Sequence, residues 1–202
     1  MYKYFKRLID FILSFIGLVL ISPLLLVILI LVRIKLGSPV FFLQKRTTMK
    51  GRVFNIIKFR TMINAYDASG KLLPDEQRKT KFGVWLRGSS LDELPQIYNI
   101  LVGDMSIIGP RPLYPEYDKY YTDYEKERYR VRGGLLSSEV LENKPTPTWD
   151  EQLKWEADYA NNLSFTIDCK IFFKSFILII NRKNSNYGDF VRKSLIEERK
   201  FK

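Results

Sequence analysis

Residues 11–32 read FILSFIGLVLISPLLLVILILV, an apolar run of 22 residues without a charged side chain. As one straight helix the run would be about 33 Å long, which is enough to cross the hydrocarbon core of a bilayer. Ser22 and Pro23 interrupt it near the middle. Because proline lacks an N–H and clashes with the carbonyl four residues earlier, we expect a kink there, with the Ser22 hydroxyl bonding a freed carbonyl.

Basic residues flank this run on both sides. Lys3, Lys6 and Arg7 precede it, and Arg33 and Lys35 follow it. Since positive charge beside a membrane helix favours the cytoplasmic face, a spanning helix normally carries it at one end only. A bent, re-entrant hairpin that enters and leaves by the cytoplasmic face satisfies both flanks and the proline. An ordinary spanning anchor with a kink satisfies the length, and the residues alone leave both geometries open.

The amino-acid composition excludes some kinds of site chemistry and favours some kinds of partner. The 202 residues carry a net charge of +11, include one cysteine, Cys169, and contain no histidine. Acid–base chemistry therefore falls to carboxylates, lysines or tyrosines, and both the commonest zinc ligand and an internal disulfide are excluded. A strong positive charge suits nucleic acid, an anionic membrane surface or phosphorylated substrates, and the apolar run favours the last two over nucleic acid. No P-loop pattern is present.

The remaining chain predicts one domain. We assign residues 1–36 to the membrane segment and residues 37–202 to a catalytic domain, because about 170 residues suit a single domain of ordinary size. Val53–Phe59 is rich in β-branched and aromatic residues and predicts a β-strand. Side chains alternate along a strand, so Lys58 and Arg60 would point to the same face.

Three later segments predict helices. Residues 115–132 place four tyrosines at helical spacing, which favours a helix face packed on the protein rather than a base-stacking surface, because its charges are balanced. Trp149–Asn161 predicts a short helix. Residues 167–180 predict an apolar helix that lies either in the membrane interface or in the core. A polar, basic tail begins at Asn181.

Adjacent carboxylates occur in residues 87–95, which read RGSSLDELP. Ser90 and Glu93, three positions apart, fit a capping box at a helix start. A helix N-terminus stabilises anions, so Asp92 would be ionised at neutral pH beside a phosphate site. Asp92 could then act as a nucleophile toward phosphorus, and Glu93 could help it hold Mg²⁺. From the spacing alone, a capping box with a surface aspartate is the commoner explanation.

A rigid arginine adds to this interpretation. Arg111 stands between Pro110 and Pro112, and such a stiff loop loses little entropy when the guanidinium captures a phosphate. The alternative is a stiff surface loop with a solvated arginine. We predict an anion pocket around Asp92, lined by Lys58, Arg60, Arg87 and Arg111.

These motifs together resemble the bacterial sugar transferase family, the monotopic phosphoglycosyl transferases that act on polyprenyl phosphate. The resemblance covers most of the chain and rests on long motifs in a fixed order. They are KRLID at 6–10, Ser22-Pro23, GSPVF at 37–41, QKR at 44–46, FNIIKFRTM at 54–62, SLDELPQ at 90–96, NIL at 99–101, GDMS at 103–106 and GPRP at 109–112.

The resemblance implies an α/β (α+β) fold with a small sheet, several helices, a re-entrant N-terminal membrane helix and interfacial amphipathic helices. It implies a catalytic Asp92–Glu93 pair that depends on Mg²⁺. The implied reaction transfers a sugar 1-phosphate from a UDP-sugar to polyprenyl (undecaprenyl) phosphate and releases UMP, as the first membrane step of bacterial glycoconjugate assembly. Its implied location is the cytoplasmic face of the bacterial inner membrane. Membrane lipids and downstream glycosyltransferases are the further expected partners, with no nucleic acid.

The chain departs from the family pattern in its C-terminal third. Residues 132–138 read RGGLLSS and residues 143–149 read NKPTPTW, where the family usually has a Pro-Gly-Ile-Thr-Gly-like loop and a Gly-Arg-containing turn. Gly88 also replaces a commonly basic residue. These departures bear on the sugar and nucleotide contacts. The alternative function, a non-enzymatic scaffold anchored to anionic lipids, explains the charge and the apolar run but not the adjacent carboxylates.

Overall fold

The computed structural model describes residues 2–144, 146–180 and 192–200, and it combines helices with two small sheets, which confirms the predicted mixed α/β class. Most of the predicted polar tail from Asn181 lies outside the described residues. The strands are β1 (Phe41–Thr47), β2 (Val53–Phe59), β3 (Ser106–Gly109) and β4 (Gly134–Ser137). The helices are α1 (Tyr2–Leu36), α2 (Asp75–Arg78), α3 (Lys81–Gly88), α4 (Gln96–Val102), α5 (Asp123–Lys126), α6 (Trp149–Asn161), α7 (Phe165–Ile180) and α8 (Leu195–Arg199).

Helix α1 carries the apolar run and continues through Pro23. The Ser22 hydroxyl donates a hydrogen bond of 2.8 Å to the carbonyl of Val19, the group that proline leaves without an N–H donor, as the sequence predicts. Apolar side chains of the middle turns face outward, and Leu20 is 73 % exposed. The helix is long and apolar enough to anchor the chain in a membrane. Its re-entrant geometry stays a prediction.

Both ends of α1 are attached to the rest of the protein. In the first turns, Arg7 donates to the carbonyls of Ile100 and Leu101 at the end of α4, each at 2.7 Å. In the last turns, Val32 and Leu36 are buried in a cluster of apolar side chains from α1, β2 and α3. The exposed middle of the helix therefore lies between two anchored ends.

The first sheet places one face of β2 against α4. β1 and β2 are antiparallel, with Phe41 opposite Phe59. Alternation along β2 buries Phe54 and Ile56 in a cluster with α4, and Lys58 follows on that same face. Phe59 points the other way, into the cluster that holds the last turns of α1. β2 thus contacts both α1 and α4.

The second sheet joins β3 and β4 in parallel, with Ser106 opposite Gly134 and Gly109 opposite Ser137. The backbones of Gly109 and Gly134 also approach each other closely. A Cβ atom on Gly134 would lie 2.0 Å from the backbone nitrogen of Gly109, so no larger residue fits there without a backbone shift. This pairing fixes the start of the Pro-Arg-Pro loop that follows β3.

The predicted continuous helix over residues 115–132 is wrong. Thr122 and Glu125 form a capping box that starts a new helical turn, so the chain bends after Tyr121. The predicted packing role is confirmed for Tyr117 and Tyr121, which are buried in one cluster with Trp149. The segment is divided into the 3₁₀ turn Pro115–Tyr120, the helix α5 and the 3₁₀ turn Glu127–Arg130.

The last long helices match their predictions more closely. α6 has the predicted bounds and begins with a capping box at Thr148 and Glu151. α7 buries Ile171 completely, yet Phe173 and Phe176 on its other side are 63 % and 55 % exposed. A core location explains only the buried side of α7, so the exposed aromatic side favours the interfacial alternative.

Candidate active site

Asp92 lies in the 3₁₀ turn Leu91–Glu93, between α3 and α4. Thr80 caps α3 by accepting a hydrogen bond from the Gly83 nitrogen at 3.0 Å, and the helix ends at Gly88. Ser90 then adopts φ +57°, a left-handed conformation that costs a residue with a Cβ about 1–2 kcal/mol. Such strain concentrates at functional sites. Ser90 lies two positions before Asp92, at the start of the turn that holds it.

The predicted capping box at Ser90 and Glu93 is wrong. An N-cap residue normally has extended backbone angles, whereas Ser90 is left-handed and makes no side-chain cap hydrogen bond. Glu93 Oε1 instead accepts a hydrogen bond from Lys58 Nζ at 2.5 Å. Helix capping therefore does not explain these residues, and their catalytic role stays a prediction.

Helix α4 holds this turn against β2. Asn99, which is 1 % exposed, accepts from the Ile57 nitrogen at 3.0 Å and donates to the Asn55 carbonyl at 2.9 Å. A buried amide with both its oxygen and its nitrogen bonded fixes the helix to one register on the strand. Lys58, on the same strand, therefore reaches Glu93. Asn99 belongs to the NIL motif, but its clamping role could not be read from the sequence.

Burial and neighbouring charges change the pKa of the Asp92 carboxyl group. Asp92 is 7 % exposed. Burial, and then the neighbouring charge of Glu93, raise the pKa of Asp92 to about 6, while Lys58 and Arg87 oppose that rise. With a pKa near 6, about nine tenths of Asp92 is ionised at pH 7. The site thus combines a desolvated, mostly ionised carboxylate with two nearby cations, a pattern typical of functional sites.

The donor set fits Mg²⁺ only when a substrate contributes ligands. Asp92 and Glu93 are adjacent carboxylates, and Mg²⁺ is commonly held by one or two carboxylates together with water and substrate phosphates. Within residues 2–144, 146–180 and 192–200, no group of three or more histidine, cysteine or acidic side chains could hold a metal. A complete cage of protein ligands is therefore not expected here.

The structure does not bring Arg60 and Lys58 to the same partners. Lys58 reaches Glu93, whereas Arg60, directly after β2, is bonded elsewhere. The Arg60 side chain is buried, and its guanidinium donates to the carbonyls of Leu36 and Ser38, the latter at 2.7 Å. Arg60 therefore satisfies the C-terminal end of α1 rather than joining the group around Asp92.

Arg111 also lies in a different electrostatic environment. Its exposed side chain acts on Glu139, whose pKa is raised by burial and by the neighbouring charge of Glu156. Its backbone is clamped, because the Arg111 nitrogen donates to Glu156 Oε1 at 3.1 Å and its carbonyl accepts from Arg128. The Arg128–Glu156 pair, 2.7 Å apart and fully buried, stiffens the predicted rigid loop. Sequence spacing gave no signal for this pair.

The amino-acid sequence is similar to those of known proteins. A family profile described as bacterial sugar transferase matches residues 1–182. The uncharacterized sugar transferase EpsL of Bacillus subtilis (strain 168) is 40 % identical over 166 residues, which cover 82 % of each chain.

Two larger relatives carry more specific names. The UDP-glucose:undecaprenyl-phosphate glucose-1-phosphate transferase of Xanthomonas campestris pv. campestris is 33 % identical over 192 residues. The UDP-N-acetylgalactosamine-undecaprenyl-phosphate N-acetylgalactosaminephosphotransferase of Aeromonas hydrophila is 34 % identical over 190 residues. Each match covers 89 % of this chain, but only 40 % and 44 % of those two proteins.

Proposed function

The chain belongs to the bacterial sugar transferase family, and we propose that it transfers a sugar 1-phosphate from a UDP-sugar to polyprenyl (undecaprenyl) phosphate with release of UMP. Two relatives named as UDP-sugar:undecaprenyl-phosphate transferases support this reaction. The observation that carries the proposal is the buried Asp92 carboxylate between two cations and beside a second carboxylate. No observation favours the alternative of a non-enzymatic lipid-binding scaffold.

In the first step, an ionised oxygen of Asp92 attacks the phosphorus that bears the sugar. A bond forms between that oxygen and phosphorus, and the bond from phosphorus to the oxygen of the uridylyl phosphate breaks. UMP leaves with the bonding electron pair, and the sugar phosphate stays on Asp92 as an acyl phosphate. The pKa of about 6 supports this role, because Asp92 is mostly ionised at neutral pH yet only weakly solvated.

Cationic side chains beside Asp92 would offset the negative charge of the diphosphate. Arg87 and Lys58 both act on the Asp92 carboxylate and could therefore also bind phosphate oxygens. Lys58 would exchange its bond to Glu93 for a phosphate oxygen, which frees Glu93 to join Asp92 as a metal ligand. Mg²⁺, when bound there, would supply neutralisation of the diphosphate charge.

In the second step, an oxygen of the lipid phosphate attacks the same phosphorus and Asp92 departs as a carboxylate. One substrate is soluble and the other is embedded in lipid, so the site must lie at headgroup level. The attachment of both ends of α1 and the exposed aromatic side of α7 support that placement. We place the site on the cytoplasmic face of the inner membrane, where downstream glycosyltransferases could receive the product.

A UMP-release assay with polyprenyl phosphate, Mg²⁺ and a panel of UDP-sugars tests this proposal. We expect release with at least one sugar, and loss of release in Asp92→Asn. Asp123→Asn, which alters a fully exposed surface carboxylate, is the matched control and should stay near wild type. The scaffold alternative predicts no release across the panel.

A further inference from the structure

A second cationic site lies at the opposite end of α4 from Asp92. Asp92 precedes α4, whereas Arg7 binds the carbonyls of Ile100 and Leu101 in the last turn of that helix. α4 lies between the two places, and its seven residues span about 10 Å at about 1.5 Å per residue. The region around Arg7 is therefore distinct from the candidate active site.

This region contains a small pocket of about 30 Å³ that is open to solvent. Its lining has a strong excess of positive charge, since one carboxylate, Asp10, stands among five cations. The cationic lining residues are Lys3, Lys6, Arg7, Arg130 and Arg132.

Several of these cations lack an acidic partner. Lys6 pairs with Asp168 at 2.7 Å, and Arg130 pairs with Glu127 at 2.9 Å. The other three, which are Lys3, Arg7 and Arg132, form no ion pair within the described residues. Arg7 and Arg132 instead donate to backbone carbonyls at the C-terminal end of α4, whose partial negative charge offsets only part of their full positive charges. The pocket therefore keeps an excess of positive charge after its ion pairs are counted.

Like charges also crowd Arg132. Burial, and then the neighbouring charges of Arg7 and Arg52, lower the pKa of Arg132, and Asp10 only partly opposes them. Asp10 is itself occupied, since it accepts from the Ser106 hydroxyl at 2.7 Å and the Ile107 nitrogen at 3.0 Å. An anion bound in the pocket would reduce the repulsion of Arg132 by Arg7 and Arg52.

The pocket is preorganised and lies where the apolar run begins. Asp168 accepts from Tyr2, Lys6 and Tyr159 at 2.6–2.7 Å, which holds the first turns of α1 against α7. Phe11, directly after these turns, is 47 % exposed and opens the apolar stretch. If that stretch enters the bilayer, the pocket lies at the depth of the lipid phosphates.

We propose that this pocket binds a phosphoryl anion, supplied by a membrane lipid headgroup or by free phosphate, at a site separate from Asp92. Arg7 and Arg132 provide planar guanidinium groups, which suit the oxygens of a phosphate, and Lys3 adds an exposed cation that donates to the Arg130 carbonyl at 3.4 Å. The proposal rests on the membrane placement of α1 and not on the transfer reaction. Failure of the transferase assay would therefore leave it standing.

Binding to the full chain in a neutral, phosphate-free detergent solution tests the proposal. The probes are dihexanoylphosphatidylglycerol below its micelle concentration and inorganic phosphate, each titrated without UDP-sugar or metal. Arg132→Gln should weaken binding about tenfold, the equivalent of about one charge-assisted hydrogen bond. Lys3→Gln, at an exposed position where folding is not at risk, should weaken it about threefold.

Two variants serve as controls. Lys154→Gln removes one exposed charge from α6 and should leave binding within about twofold of wild type. Arg87→Gln removes a cation beside Asp92; it should weaken only phosphate binding at the candidate active site and leave intact the binding that Arg132→Gln weakens. Tighter binding of the lipid than of phosphate, lost in Arg132→Gln, supports a headgroup site, and equal binding supports a free phosphate site. Binding that ignores Arg132→Gln and Lys3→Gln, or that disappears in Arg87→Gln, overturns the proposal.

Discussion

Replacing Lys58 with methionine should shift the pH dependence of the first chemical step to higher pH. Lys58 lies 2.5 Å from Glu93 and lowers the pKa of Asp92, while Glu93 raises it. Lys58→Met removes the favourable charge and leaves the unfavourable one unpaired. A nearby opposite charge shifts a carboxyl pKa by about 1–3 units, and the low end applies because burial and Glu93 affect Asp92 more than Lys58 does.

The expected magnitude follows from the wild-type value. A pKa of about 6 leaves about nine tenths of Asp92 ionised at pH 7 and about one tenth at pH 5, so the wild-type rate should fall about tenfold over that range. In Lys58→Met the pKa rises to about 7 or above, so the ionised fraction at pH 7 drops to about one half or less. The acid limb should move up by about one pH unit and flatten near pH 9.

The assay must avoid other groups that titrate in this range. A lipid phosphate has a second pKa near 6, so the UMP burst of a single turnover without lipid is the quantity to measure. Lys154→Met, at an exposed position on α6, is the matched control and should keep the wild-type acid limb. Superimposable profiles for Lys58→Met and wild type, or a wild-type burst without an acid limb near pH 6, would refute the role given to the Asp92 environment.

Three further predictions concern topology and the outlying arginines. Cysteines introduced at Tyr2 and Lys50 should both be labelled from the cytoplasmic side only, and periplasmic labelling of Tyr2→Cys would exclude the re-entrant helix. Arg60→Met should lower the thermal midpoint, by the equivalent of about 3–6 kcal/mol for two lost charged hydrogen bonds, while the folded protein keeps its specific activity; selective loss of activity would restore a phosphate-binding role for Arg60. Arg111→Lys should leave UMP release near wild type, because the exposed Arg111 side chain acts on Glu139 and not on Asp92; a selective loss of release would restore the predicted phosphate-binding role of its planar guanidinium.

Local patterns predicted much of the fold. Val53–Phe59 and Trp149–Asn161 have the bounds that the sequence predicts, because strand alternation and helical periodicity in these segments coincide with burial. The partner of the Val19 carbonyl was predictable too, since Pro23 and Ser22 are adjacent and the chemistry is local. The tyrosine spacing over residues 115–132 predicts a continuous helix, but the capping box of Thr122 and Glu125 starts a new helix inside that segment.

The site was predicted less completely, since its contacts join distant parts of the chain. Asp92 and Glu93 were identified from their motif, but the ion pair of Glu93 with Lys58 depends on how α4 packs on β2. The sequence predicts Arg60 near Asp92, but its guanidinium bonds the carbonyls of Leu36, at the end of α1, and Ser38. No spacing rule connects these two residues to β2. The buried Arg128–Glu156 pair needed the packing of α6 against Glu127–Arg130.

The central claim is that Asp92 carries the sugar phosphate as a covalent intermediate. Rapid quenching of the active protein with UDP-sugar and Mg²⁺ but no lipid, followed by peptide mass spectrometry, tests it most directly. We predict a sugar-phosphate adduct on the peptide that contains Asp92, its disappearance when polyprenyl phosphate is added, and its absence in Asp92→Asn. An active preparation that shows no adduct, together with an Asp92→Asn variant that still releases UMP, would contradict the covalent mechanism.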